Sequence, residues 1–202
     1  MNREALITAC RHLAAAGLSP GSSGNLSIRL GDEFIVTPTG SSLSRVTVDD
    51  LAVVDLTGRP SGTAQPTKEL AFHLALYRRR PEATAVVHLH SPYATAVSCL
   101  PPDARGNADL PPTTPYRVMR LGAVPLARYA RPGSAELGAA VDELAADHAV
   151  MLLANHGSLV AASSLNAAID LAEELEAAAQ LTLLLRGARH VQLGPDDVAE
   201  LH

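Results

Sequence analysis

One stretch constrains this chain more than any other: Val86-Val87-His88-Leu89-His90, an apolar run closed by Ser91-Pro92. The run predicts a strand. On a strand, side chains alternate between faces, so His88 and His90 share one face and Val87 and Leu89 fill the other. Two imidazoles side by side on a rigid element make half of a metal site. A strand with two hydrogen-bonded histidines fits the same pattern equally well. What decides between them is whether the rest of the chain supplies the other half.

At 202 residues, 47% hydrophobic and 18% charged, the chain predicts one soluble globular domain over residues 1–202 with a sizeable core. It has no Trp and few aromatics, which favours helices packed through small side chains. A net charge of -5 disfavours nucleic acid and anionic membranes as general partners, so an anionic substrate needs a local site. Cys10 and Cys99 are the only cysteines, both in apolar stretches, and predict a reducing compartment rather than a disulfide framework. Met1-Asn2-Arg3-Glu4 leads into an amphipathic pattern without the basic start and apolar run of a signal peptide. No apolar run approaches the ~20 residues that span a bilayer. The expected location is the cytoplasm.

Punctuation along the chain organises the elements. Asn2 caps a first helix with Leu6, Cys10 and Leu13 inward, ended by Gly17. Leu26–Leu30 and Glu33–Val36 form a hairpin across Gly31-Asp32, and Ala52–Asp55 is a third strand. Pro66–Glu69 opens a helix that buries Leu70, Leu74 and Tyr77 and ends in Arg78-Arg79-Arg80, a solvated end suited to the dipole. Ser91-Pro92 starts another helix. Residues 101–116 are proline-rich and predict a long irregular loop, after which Arg117–Leu121 reads as a strand. A helix follows Pro132-Gly133-Ser134 with Leu137, Val141 and Leu144 inward. Ala149–Ala154 is a buried strand, interrupted by Asn155-His156-Gly157, and Ser158–Ala161 continues it. A last helix spans about 166–186, stopped by Gly187. Irregular alternation with hairpins predicts an α/β fold, a mixed sheet covered by helices.

A zinc-type site needs three or four N, O or S ligands. His156 is the best third ligand, sitting between Asn155 and Gly157 after a buried strand; a turn histidine is the plain alternative. Glu69 is the best fourth, in the first turn of a helix, where an ordinary helix-start acid also belongs. His12, His73, His148, His190 and His202 have no partner at ligand spacing and read as structural or solvent-exposed. Ser23-Gly24-Asn25, Thr39-Gly40 and Thr67-Lys68 are small or hydroxylic segments that suit an anion if they meet; each alone suits a turn or cap. Metallo-β-lactamase-like hydrolases carry Asp-His soon after their His-x-His, and cupins a Glu; here Ser91-Pro92 follows and the next acid is Asp103.

Taken together, the sequence resembles the class II aldolase/adducin family. The matching motifs are Gly24-Asn25-Leu26-Ser27, Thr37-Pro38-Thr39-Gly40, Pro66-Thr67-Lys68-Glu69, His88-Leu89-His90 and Asn155-His156-Gly157. Within it the chain looks most like the 3-oxo-tetronate 4-phosphate decarboxylases, by Lys68, Leu74–Arg78, Val97–Leu100 and Pro112–Arg120. The resemblance implies a single-domain α/β/α sandwich with a mixed, mostly antiparallel sheet, and a homotetramer with active sites at subunit interfaces. It implies that His88, His90 and His156 hold a divalent metal, usually zinc, with manganese or cobalt as alternatives. Glu69 would be a ligand and the proton-transfer residue. Gly24, Asn25, Thr39, Gly40, Thr67 and Lys68 would hold the phosphate of a small sugar-acid substrate. The family usually has Ser where Thr67 and Lys68 stand; the Thr67 hydroxyl survives, whereas Lys68 departs and could take phosphate or the substrate carboxylate. The implied reaction is decarboxylation to dihydroxyacetone phosphate through a metal-stabilised enediolate. An aldolase on fuculose or ribulose phosphate is the alternative, and a non-catalytic adducin-like module a remoter one. Tyr116, in the proline-rich loop, could donate a proton in a neighbouring subunit's site or simply be a buried loop tyrosine.

Overall fold

The chain folds as an α/β domain in which a strand with apolar residues on both faces lies at the centre of a sheet. A computed structural model describes residues 2–201. Strands β1 (Asn25–Leu30), β2 (Glu33–Val36), β3 (Ala52–Val54), β4 (Ala85–Leu89), β5 (Leu126–Ala127), β6 (Val150–Leu153) and β7 (Gly157–Ala162) form one sheet in the order β3-β2-β1-β4-β7-β6-β5. Only the β5–β6 pairing is parallel, so the sheet is mixed and mostly antiparallel as expected. Strand β4 has a partner on each side, β1 and β7, and all of its residues are buried.

Helices cover both faces. On one lie α1 (Arg3–Ala15), α3 (Pro92–Ser98) and α5 (Leu165–Leu185), whose Leu6, Cys10, Leu13, Val97 and Leu175 pack with Leu26, Ile28, Val87 and Leu89 of the sheet. On the other lie α2 (Leu70–Arg79) and α4 (Ala135–Ala145), whose Phe72, Leu76, Leu137 and Val141 pack with Phe34, Val86 and Met151. The alternation read for β4 therefore holds: Val87 and Leu89 go to one layer, and Val86 to the other. Burying each such side chain contributes roughly 1.5–3 kcal/mol before entropy is counted. No helix among the described residues is long and apolar enough to cross a membrane.

Several local expectations change. Arg117–Leu121 is a wide helical turn, not a strand. Val118 and Leu121 are buried while Met119 and Arg120 are not, a three-residue spacing that a strand cannot present to one side. Thr114 Oγ1 accepts from the Arg117 N–H at 3.2 Å at its start, and Gly122 at φ 58° ends it. Helix α2 begins at Leu70, so Glu69 is its N-cap residue and not part of the first turn. Strand β4 ends at Leu89, leaving His90 one step beyond it. Leu144 is half-buried, and Cys99 is exposed although Cys10 is buried. The two-residue β5 and the short α6 (Pro195–Ala199) carry too little periodicity to be read from sequence. His202 lies outside the described residues.

Candidate active site

Two glycines bring the neighbouring strands β1 and β7 onto the end of β4. Gly24 has φ +75°, and a Cβ there would stand 2.9 Å from the His88 carbonyl oxygen. A Cβ on Gly157 would stand 2.2 Å from the Leu89 carbonyl oxygen. Only a residue without a side chain lets both neighbours close on β4. Just before Gly157, Asn155 takes φ 55°, a left-handed conformation that asparagine tolerates better than most residues, and this turn aims His156 back at the strand. The Asn-His-Gly triplet is thus explained residue by residue.

The result is a compact cluster. One ligating atom from each of Glu69, His88, His90 and His156 lies within 4.8 Å of the others. The His88 and His90 Nε2 atoms are 3.0 Å apart. Glu69 Oε2 lies 3.4 Å from His88 Nε2, and Glu69 Oε1 lies 3.2 Å from His156 Nε2. His88 donates from Nδ1 to the Ser158 carbonyl at 2.8 Å, which leaves its Nε2 lone pair facing the cluster. Glu69 is 4% exposed, His88 0% and His156 7%, while His90 is half-buried at the mouth of the cluster.

Charge states follow from the surroundings. Burial alone would raise the Glu69 carboxyl, but the neighbouring His156 imidazole, His88 and the Asn25 amide outweigh it and bring it to about 2. Burial pushes His88 down to about 3 against the opposing pull of Glu69. His90 is lowered by burial and by the adjacent His156. An ionised carboxylate and neutral imidazoles are the forms that ligate a cation.

The cluster fits a divalent ion on a further count. Glu69 Oε1 and both ring nitrogens of His156 are buried without a hydrogen-bond partner. Orphaned buried polar atoms cost about 1–3 kcal/mol each. A cation held by Glu69 Oε1, His156 Nε2 and the other two imidazoles removes that cost for two of the three atoms, and three nitrogens with one carboxylate oxygen suit zinc and similar ions.

Above the cluster opens a cavity of about 560 Å³. Gly24, Asn25, Thr39, Gly40, Thr67 and Lys68 all line it, together with Glu69, His90 and His156. The three segments singled out for anion binding therefore do meet. Lys68 is exposed, and it is the only Lys or Arg among the described residues lining this cavity. Tyr116 is not in this cavity; it is 68% exposed, so the buried alternative does not hold. A larger groove of about 710 Å³ between α1 and the start of α5 gathers no comparable cluster, its His12 pairing with Glu173 outside.

His73, which the sequence leaves open as structural or solvent-exposed, is the former: it is completely buried, its Nε2 2.5 Å from Asn25 Oδ1. Its position four residues after Glu69, one helical turn on, was the available signal. Thr95, Pro132 and Asn155 also line the cavity without having been assigned to it.

Comparison with known proteins agrees with the geometry. A family model described as Class II Aldolase and Adducin N-terminal domain matches residues 4–183. The 3-oxo-tetronate 4-phosphate decarboxylase of Haemophilus influenzae is 43% identical over 200 residues, covering 98% of this chain and 95% of that protein. The L-fuculose phosphate aldolase of Escherichia coli is 34% identical over 180 residues, covering 88% of this chain and 80% of that one. The crystal structure of YgbL from Klebsiella pneumoniae superposes with a TM-score of 0.93 at 41% identity, covering 99% of this chain and 97% of that chain.

Proposed function

This chain belongs to the class II aldolase and adducin family, and we propose that it is a metal-dependent carboxy-lyase converting 3-oxo-tetronate 4-phosphate to dihydroxyacetone phosphate and carbon dioxide. The observation that carries the reading is the meeting, in one cavity, of the Glu69–His cluster with Lys68 and the three anion-suited segments. Greater identity to the decarboxylase relative, 43% against 34% for the aldolase, supports it over an aldolase.

His88, His90, His156 and Glu69 would hold a divalent ion, zinc by preference and manganese or cobalt as alternatives, because this donor set accepts several. The bound ion supplies Lewis acidity, which favours negative charge on a neighbouring ketone oxygen by several kcal/mol. The chain's own residues do the rest. Thr39, Gly40, Thr67 and the backbone at Gly24 line the end suited to phosphate, with Lys68 supplying the positive charge there or at the carboxylate. Loss of carbon dioxide breaks the bond between the first and second carbons and leaves its electron pair delocalised toward the ketone as an enediolate. The second carbon must then take up one proton. Glu69, ionised at rest, is the group placed to take that proton up from water in the cavity and hand it on. The burial of Glu69, His88 and His156 limits the water that can reach them.

We place Tyr116 in a neighbouring subunit's site within a homotetramer, as a proton donor. Its exposure, and that of Met119 at 58%, suits a surface covered by another copy. The proposed compartment is the cytoplasm, in four-carbon sugar-acid breakdown. A non-catalytic module would have no use for four converging ligands and three orphaned polar atoms. The test is incubation of purified protein with 3-oxo-tetronate 4-phosphate and, separately, with fuculose and ribulose phosphates. Carbon dioxide with no aldehyde is expected; aldehyde without carbon dioxide overturns the reading in favour of an aldolase.

A further inference from the structure

Behind the cluster, on the side away from the cavity, the protein buries a chain of polar side chains that the chemistry above does not use. Ser27 and His73 are 0% exposed and Tyr77 is 2% exposed. Ser27 Oγ lies 2.9 Å from Tyr77 Oη and 2.8 Å from His73 Nδ1. His73 Nε2 lies 2.5 Å from Asn25 Oδ1, and Asn25 Nδ2 donates to Glu69 Oε2 at 2.8 Å. His73 and Tyr77 are one and two helical turns from Glu69 along α2, and Ser27 and Asn25 alternate on one face of β1. Helix and strand thus face each other through polar atoms in the middle of an otherwise apolar layer.

Donor and acceptor accounting gives this chain a single direction. The Glu69 carboxylate can only accept, so the Asn25 amide must turn its N–H toward it and its carbonyl toward His73. His73 must then carry its proton on Nε2. The neutral ring leaves Nδ1 as an acceptor, so Ser27 donates to it and Tyr77 donates to Ser27. Every hydrogen bond points toward Glu69.

We propose that Ser27, His73 and Tyr77 are positioning residues that lock the Asn25 amide in the orientation that ties down Glu69 Oε2 and leaves Oε1 free for the metal. The inference rests on the reading of Glu69 as a metal ligand. The reversed amide would set its carbonyl against the carboxylate, a repulsive contact that pushes Glu69 off the cluster. Filling this space with apolar side chains would avoid desolvating four polar groups, so their retention calls for a role beyond packing. Orienting partners of this kind change metal affinity about 10- to 100-fold when removed.

The test measures zinc affinity by competition with a chromophoric chelator, beside thermal melting, for wild type, Ser27→Ala, His73→Gln and His73→Phe. Ser27→Ala removes the donor to Nδ1 and frees the ring to take the other tautomer. Gln keeps a donor near the Nε2 position; Phe keeps only bulk. The expected result is affinity about 10- to 100-fold weaker in Ser27→Ala and His73→Phe, with His73→Gln restoring most of it. In wild type, nitrogen NMR of the imidazole should show His73 protonated on Nε2; this reading holds even if the Phe variant fails to fold. A ring protonated on Nδ1, or folded Ser27→Ala protein binding zinc as tightly as wild type, overturns the proposal. Wild-type protein that binds no divalent ion instead contradicts the metal reading, and removes the relay's purpose with it.

Discussion

Glu69 and Glu176 are the two buried carboxylates among the described residues, 4% and 8% exposed, and they meet opposite surroundings. Glu176, on α5, accepts from the backbone N–H groups of Tyr93 at 2.9 Å and Ala94 at 2.7 Å. It does for the start of α3 what Ser91 does not, since the Ser91 side chain makes no capping hydrogen bond. Both of its oxygens are engaged, and the helix dipole favours its charge. Glu69 has one oxygen on Asn25 and one with no hydrogen-bond partner, facing imidazoles. Burial of a charge therefore says little about function by itself. What separates the structural carboxylate from the candidate catalytic one is the unsatisfied oxygen.

The comparison breaks most visibly on Glu69→Gln. Turnover should fall about 10²- to 10⁴-fold, the range for losing a positioned acid or base. The metal-free variant should melt only modestly below metal-free wild type: the lowered Glu69 carboxyl means the fold gains from its charge, but only one of its oxygens has a hydrogen-bond partner to lose. A large fall in melting temperature would make Glu69 another Glu176. Next in size is Gly157→Ala. Its Cβ would enter the Leu89 carbonyl, 2.2 Å away, and the strain should cost about 3 kcal/mol in denaturant unfolding and weaken zinc binding with it. Glu176→Gln should show the opposite split from Glu69→Gln. It exchanges a charged acceptor of two buried N–H groups for a neutral one, costing about 2 kcal/mol of stability. Folded Glu176→Gln protein should keep near wild-type zinc affinity; a loss as deep as that of Glu69→Gln would erase the distinction.

The smallest effect calibrates both against a surface carboxylate. Asp142 is held below its ordinary 3.8 by hydrogen bonding to Arg79, at the exposed ends of α4 and α2. A lowered folded pKa contributes stability that is present above 3.8 and is lost as pH falls through the folded value. Asp142→Asn should cost about 0.5 kcal/mol at neutral pH, as exposed pairs do, and the difference from wild type should close in acid. Denaturant midpoints across pH check it.

Part of this site was legible because short local patterns mark it. His88 lies on the strand with His90 one step past its end, and His156 follows a left-handed Asn155 in a turn that Asn-His-Gly announces. What stayed hidden depends on tertiary contact. The Arg117–Leu121 turn has an apolar-polar pattern too short to tell three-residue from two-residue spacing. Gly24 reads as a flexible phosphate loop, and its need for φ +75° beside the His88 carbonyl appears only once β1 meets β4. Asn25 was assigned to phosphate, yet its amide engages His73 and Glu69, leaving one N–H for any ligand. His73 resembles any lone histidine until Ser27 and Asn25 arrive from another strand.

The most direct test of the central claim runs the reaction on 3-oxo-tetronate 4-phosphate in deuterated water, with wild type and Glu69→Gln. The account predicts one carbon dioxide and one dihydroxyacetone phosphate per turnover from wild type. One deuterium should enter on a single face of the carbon that lost the carboxylate, and both product formation and deuterium entry should collapse in the folded variant. Undiminished turnover by Glu69→Gln, or deuterium on both faces from the wild-type enzyme, would contradict it.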